Sequence, residues 1–201
     1  MSTNFDLNIL QGKTLIRVYR FEALPIVYKP ITGITKAAPV SITAVAHGIP
    51  EGWRAAVVSA LGMTQINATN RPLRDSDFHK ISVTDVNTVT INDINAAEFS
   101  TYASGGYLVY NTPVDLTGLS ARMTIRDRIG GTLLASYTTA TSEFAIDLTA
   151  KTITLTVAAS VTAGYSWLTG VYDIELFTSG GTPVVYPLAA GSVTVFDEVT
   201  T

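Results

Sequence analysis

In Ala121-Arg122-Met123-Thr124-Ile125-Arg126 apolar and polar side chains alternate residue by residue, and Thr152-Ile153-Thr154-Leu155-Thr156-Val157 repeats the pattern with threonine in the polar places. A period of two puts one set on each face of an extended chain, as a half-buried strand requires. Asp127-Arg128-Ile129-Gly130-Gly131 supplies a reversal before a strand over residues 132–137. Thr178-Ser179-Gly180-Gly181 does the same between residues 171–177 and Val184-Val185-Tyr186. A last strand covers residues 191–196, and only residues 158–168 lean towards helix. Short strands at regular spacing with glycine turns predict an antiparallel sandwich.

The N-terminal FDLNILQGKTLIRVYRF reads as two strands, yet PVDLTG, residues 113–118, reads as the beginning of a domain again. Between them the texture changes. Strands are expected at 41–46, 55–58, 80–83 and 88–91, linked by Gly, Pro, Asn and Asp. Two tyrosine-bearing extended segments, Pro25-Ile26-Val27-Tyr28-Lys29 and Tyr107-Leu108-Val109-Tyr110, flank this middle part. If they run antiparallel as neighbours, a unit can leave and re-enter its host at one point. The expected organisation is therefore a host sandwich of residues 1–30 and 107–201, with a small β-barrel of residues 31–106 inserted into it.

Of the 201 residues 47% are hydrophobic and 14% charged, well below the roughly 25% charged of an ordinary soluble domain. Thr, Ser, Asn and Gly must solvate the surface, and other chains are expected to cover part of it. The net charge is −3, with the 13 Lys and Arg residues scattered, so no footprint for nucleic acid is visible. Cysteine is absent, which removes disulfides, thiolate zinc sites and a cysteine nucleophile. MSTNFDLNIL has no basic region before an apolar core, and no apolar run approaches a bilayer span. A soluble protein without a classical export signal, and without a membrane partner, is expected.

The series ILQGKTLIRVYRF, PVDLTGLSARMTIRD, AIDLTAKTITLTV, GVYDIELF and GSVTVFDEV resembles the immunoglobulin-like N-terminal domain of bacteriophage baseplate upper proteins and related small tail proteins. ITGITKAAPVSITAVAHGIPEGWRAAVVSALGMTQINA, followed by FHKISVTDVNTVTIND and YASGG, is similar to a small β-barrel module of phage tail and fibre proteins. That module is related to the first catalytic-cysteine half-domain barrel of ubiquitin-activating enzymes, where it is a scaffold. The two resemblances together cover nearly the whole chain. They imply an all-β fold, an immunoglobulin-like antiparallel sandwich with an inserted small β-barrel, and no activity.

The residues themselves offer little chemistry. The histidines are His47 and His79. His47, in a His-Gly-Ile-Pro turn, has no evident partner that would make it a base. Asp75, Asp77 and His79 alternate in RDSDFHK, so an extended segment would point all three the same way towards a divalent cation. Arg74 and Lys80 flank them, and a solvated polar loop is the preferred reading. Gly164-Tyr165-Ser166-Trp167-Leu168 lacks the second glycine of a nucleophile elbow, and no phosphate-cradling glycine loop occurs. No catalytic, cofactor or metal residue is assigned, and an enzyme is not expected. The aromatics serve either core and domain-interface packing, the preferred reading, or contact with a neighbouring subunit. The second reading makes Trp53, Tyr102, Tyr107, Tyr110 and Trp167 the candidate interface.

The expected function is that of a non-enzymatic structural subunit of a bacteriophage virion, in the tail, baseplate or collar. Its partners would be other virion proteins and copies of itself. A capsid decoration protein is the structural alternative. A carbohydrate- or host-surface-binding module is the alternative of another class, and it predicts a cleft with exposed Trp or Tyr beside Asn or Asp.

Overall fold

The computed structural model describes residues 3–178 and 182–198; the Ser179-Gly180-Gly181 part of the last expected turn lies outside them. From the N-terminus the chain lays down β1 (Thr3–Asn4), β2 (Leu7–Leu10) and β3 (Leu15–Arg20). It then forms β4 (Glu22–Pro30), β5 (Gly33–Ile34), β6 (Val40–Thr43), β7 (Arg54–Leu61), β8 (His79–Asp85), β9 (Thr88–Ile91) and β10 (Ser104–Pro113). It continues with β11 (Leu119–Arg126), β12 (Leu133–Thr138), β13 (Phe144–Asp147), β14 (Thr152–Val157), a short helix α1 (Ala159–Ala163), β15 (Thr169–Thr178) and β16 (Val185–Phe196). The fold is all-β. It divides into two compact units, Met1–Phe21 with Asp115–Thr201, and Glu22–Val114.

The first unit is a sandwich. One sheet has the order β1-β16-β15-β11-β12, with β2 also on β16, and the other is β13-β14-β3. Alternation decides which side chains meet between them. Ala121, Met123 and Ile125 of β11, Ile174 and Leu176 of β15 and Ile153, Leu155 and Val157 of β14 are all buried in one core. Each large aliphatic side chain there contributes about 1.5–3 kcal/mol of burial. On β14 the intervening Thr152, Thr154 and Thr156 point the other way, across from Arg20, Val18 and Ile16 of β3. A five-membered order β2-β16-β15-β11-β12 facing β3-β14-β13 is the strand arrangement of an immunoglobulin-like sandwich. Pairing is antiparallel with two exceptions, because β1 and β2 both run parallel to β16.

The second unit is an antiparallel sheet in the order β4-β10-β7-β8-β9-β6-β5, wrapped around a core of its own that includes Ile42, Trp53, Val57, Met63, Ile81, Ile91 and Leu108. Its two end strands are consecutive in the chain. The Ile31 amide still donates to Gly106 O on β10, at 3.0 Å, and the Thr32 amide already donates to Thr43 O on β6, at 2.8 Å. One bent segment thus serves both ends of the sheet, which curls into a barrel-like half shell.

The boundaries differ from those expected at 30/31 and 106/107. Tyr107, Leu108, Val109 and Tyr110 pair with Pro30, Lys29, Tyr28 and Val27, so the flanking segments are neighbours and antiparallel. They do not belong to the sandwich: β10 also pairs with β7, and Leu108 and Tyr110 are buried in the second core with Val27 packed against it. The division falls where that ladder ends, at Glu22 opposite Pro113. Two smaller expectations also change. Residues 158–168 are helical only over Ala159–Ala163, and the strands expected at 184–186 and 191–196 are one strand that runs through Pro187. Glu175 opposite Pro187 sits beside a register shift, and an irregular place in the ladder is where a residue without an N–H is tolerated.

Candidate functional site

One concavity lies wholly in the 22–114 unit, and it exists because β7 and β8 part early. Only Arg54 and Ala55 of β7 pair with β8. Beyond them the connection of residues 62–78 takes over the free edge. Asn67 accepts the Ala60 amide through Oδ1 at 2.8 Å and donates Nδ2 to Ala60 O at 2.9 Å, while the Ala68 amide donates to Val57 O at 2.7 Å. A side-chain amide can imitate a strand's donor and acceptor pair in this way.

The same connection then turns sharply around Asp77. Its Oδ1 accepts the amides of Thr69 at 3.2 Å and Asn70 at 3.4 Å and the Asn70 side chain at 3.0 Å, and Oδ2 accepts the Arg74 amide at 2.8 Å. The Arg74 amide is the largest of several hydrogen bonds that hold this carboxyl below its usual pKa. Fixed so, the loop carries Arg71 and Arg74 on its outside. Both side chains are exposed, and among the described residues neither has a carboxylate partner. The Arg71 guanidinium donates only to Asn70 O, at 3.4 Å.

Between this loop and the outer face of β4, β10 and β7 is a cleft of about 490 Å³ lined by Ile26, Tyr28, Val58, Ser59, Asn111 and Phe78 with residues 71–75. The inward-facing neighbours Val27, Val57 and Leu108 belong to the core, so the period of two sends Tyr28 and Val58 outward. Tyr28 is 55% exposed and meets the Tyr107 ring edge to face at 6.0 Å. Ser59, with φ 60°, lies opposite the irregular stretch at Gly105 and Gly106.

One end of the cleft is fixed by ions. Glu22 accepts from Arg54 Nε and Nη2, both at 2.8 Å, and from Asn111 Nδ2 at 2.7 Å, while Arg54 Nη1 donates to Asp75 at 3.1 Å. The Arg54 guanidinium lies 5.4 Å from the centre of the Phe78 ring. The hydrogen bonds to Glu22 raise its pKa further above the already high arginine value, so Arg54 is permanently charged and committed. The cleft therefore has an apolar and aromatic floor, one neutralised end, and two uncommitted guanidinium groups at its rim.

The residues singled out from the sequence fall elsewhere, with partial exceptions. Residues 75–77 form a 3-10 turn, not an extended segment, so Asp75, Asp77 and His79 diverge: Asp75 goes to Arg54, Asp77 to its own loop, and His79 Nδ1 to Asp93 at 2.9 Å. Among the described residues no three His, Asp or Glu side chains gather as metal ligands. His47 is buried; its Nδ1 accepts the Ile49 amide at 3.0 Å, so Nε2 carries the proton donated to Asp85 O at 2.9 Å. Of the candidate interface, Trp53 and Tyr110 are core residues without outer surface. Trp53 donates to Asn111 O at 3.1 Å, and the Tyr110 hydroxyl donates to His47 O. Tyr102 is half-buried, its hydroxyl on Ile31 O and Gly105 O. Trp167 is half-buried against Tyr165, whose hydroxyl meets that of Tyr137. Tyr107 alone of the five is exposed, at 44%, beside the cleft's Tyr28. Arg71, Arg74 and Asn111 carry no sequence signal beyond two arginines around a proline in Arg71-Pro72-Leu73-Arg74. Compared with known proteins, the chain matches no family model and no curated sequence.

Proposed function

We propose that this chain is a non-enzymatic structural subunit of a bacteriophage virion, in the tail, baseplate or collar, joined through β surfaces to copies of itself and to other virion proteins. The observation that carries the reading is the outer face and edge of β3. Among the described residues β3 pairs with β14 alone, so one side of it is an open strand edge. On its outer face Ile16 and Val18 are 55% and 50% exposed beside a row of threonines. An edge strand with exposed β-branched side chains, here interspersed with Arg17 and Arg20, is a place where another chain adds or packs, and a chain with so few charged residues has the surface of a subunit.

Quantitative mass spectrometry of purified particles tests the reading: the protein should be present at a fixed ratio to the other virion proteins. Absence from washed particles would sink it. Light scattering after size exclusion distinguishes its forms. A closed oligomer fits a ring or collar, and a monomer that binds only to assembled particles fits capsid decoration.

A further inference from the structure

We propose that the cleft of the 22–114 unit binds a sugar bearing a carboxylate. The volume of about 490 Å³ lies within the range of pockets that hold small ligands. The exposed Tyr28 ring, braced edge to face by Tyr107, offers a flat apolar surface to the C–H face of a pyranose. Ser59 lines the same space and offers a hydrogen bond to a hydroxyl, beside Asn111, whose Nδ2 is already given to Glu22.

The rim sets the charge of the ligand. Arg54 is satisfied by Glu22 and Asp75, and this leaves Arg71 and Arg74 as planar forks without an acid, held on one loop by Asp77. Guanidinium forks match a carboxylate or phosphate in two parallel hydrogen bonds. The aromatic floor beside them favours an anion carried on a ring over a free one. The backbone at Ser59 in the cleft, and on the strand paired with it, is also unusual. Ser59 adopts φ 60°, and Gly105 and Gly106 adopt 71° and 86°. A Cβ on Gly106 would lie 2.9 Å from the Ala60 backbone, so the ladder can approach this closely only through glycine. Backbone of this kind beside a pocket is a common mark of a shaped site.

The inference stands whether or not the chain belongs to a virion, because it rests on the cleft alone. The test uses the full chain with methyl β-D-glucuronide, followed by saturation-transfer NMR and calorimetry. Methyl β-D-glucoside, sodium acetate and inorganic phosphate serve as controls. We expect the glucuronide to bind with a dissociation constant around 1 mM, as its size allows, and the glucoside about tenfold more weakly. The double variant Arg71→Gln with Arg74→Gln should lose about tenfold in glucuronide affinity. Tyr28→Ala should abolish saturation of the sugar ring protons. All three side chains are exposed, so circular dichroism melts should be unchanged; should the double variant not fold, each single variant is expected to lose part of the affinity. Equal binding of glucoside and glucuronide would overturn the proposal, as would the absence of saturable binding. Phosphate or acetate binding as well as the glucuronide, with no saturation of the ring protons, would make this a bare anion site and overturn it equally.

Discussion

Asp77 shows how far one side chain can be misread from its neighbours. Its alternation with Asp75 and His79 offers a ligand set beside the preferred reading of a polar loop, and the deciding fact is local: a carboxylate preceded by free amides closes a turn on itself. It accepts three backbone amides and one side-chain amide, and so organises the loop that carries Arg71 and Arg74. Asp77→Ala should leave the barrel core intact while the amides of Thr69, Asn70 and Arg74 lose about tenfold or more of their hydrogen-exchange protection. Unchanged protection there would show that the loop is held by something else. Trp53 and Tyr110 follow the preferred reading of core packing. Large aromatics serve cores and interfaces alike, and only the fold separates them, by burying both around polar contacts to Asn111 and His47. The cleft's own arginines were illegible because an exposed arginine gains meaning only from what it fails to pair with.

Strands, the hairpin pairs β11–β12 and β15–β16 and the pairing of β4 with β10 were legible, and the other long-range partners were not. Alternation places β11 and β14 closely, since a half-buried sheet writes its period into the sequence. β13 is too short to show a period, and β16 is interrupted by Pro187. That β1 and β2 lie parallel to the far C-terminal strand follows from closing the sandwich, which no local pattern encodes. The 62–78 connection was unreadable for the same reason: side-chain amides and a carboxylate shape it, in the absence of any period. The β7–β10 ladder depends on one glycine. Gly106 combines φ 86° with so close an approach to β7 that an added Cβ would stand 2.9 Å from both Ala60 N and Ala60 Cα. Gly106→Ala should cost about 1–3 kcal/mol, from the left-handed backbone and the forced separation of strands. A urea melt reads this directly, and a loss below about 0.5 kcal/mol, the size of an ordinary surface substitution, would mean the strands separate freely.

At the scale of the molecule, each unit has its own core, so the sandwich should survive without its insert. Removing residues 22–114 and joining Phe21 to Asp115 through a short Gly-Ser turn should leave a cooperatively melting β domain. Removing 31–106 should do worse, because it strands β4 and part of β10 as a lone hairpin, which is marginal in water, with Leu108 and Tyr110 stripped of their core. Circular dichroism melts of the two deletions check this, and equal stability would return the boundary to residues 30 and 107. Acid should weaken both units. Asp77 in one, and Asp115 in the other through Lys151 and Thr117, have carboxyls held below their usual pKa. Their stabilisation is complete above the unfolded value of about 3.9 and is lost as pH falls through the lower folded values. The route by which the chain enters and leaves the barrel has a mechanical meaning as well. Entry and exit lie at adjacent ends of two antiparallel strands, Glu22 opposite Pro113. Once the ladders that join the two halves of the sandwich chain have separated, tension between them would therefore peel β4 from β10 one pair at a time, like a zipper, without shearing the whole ladder at once.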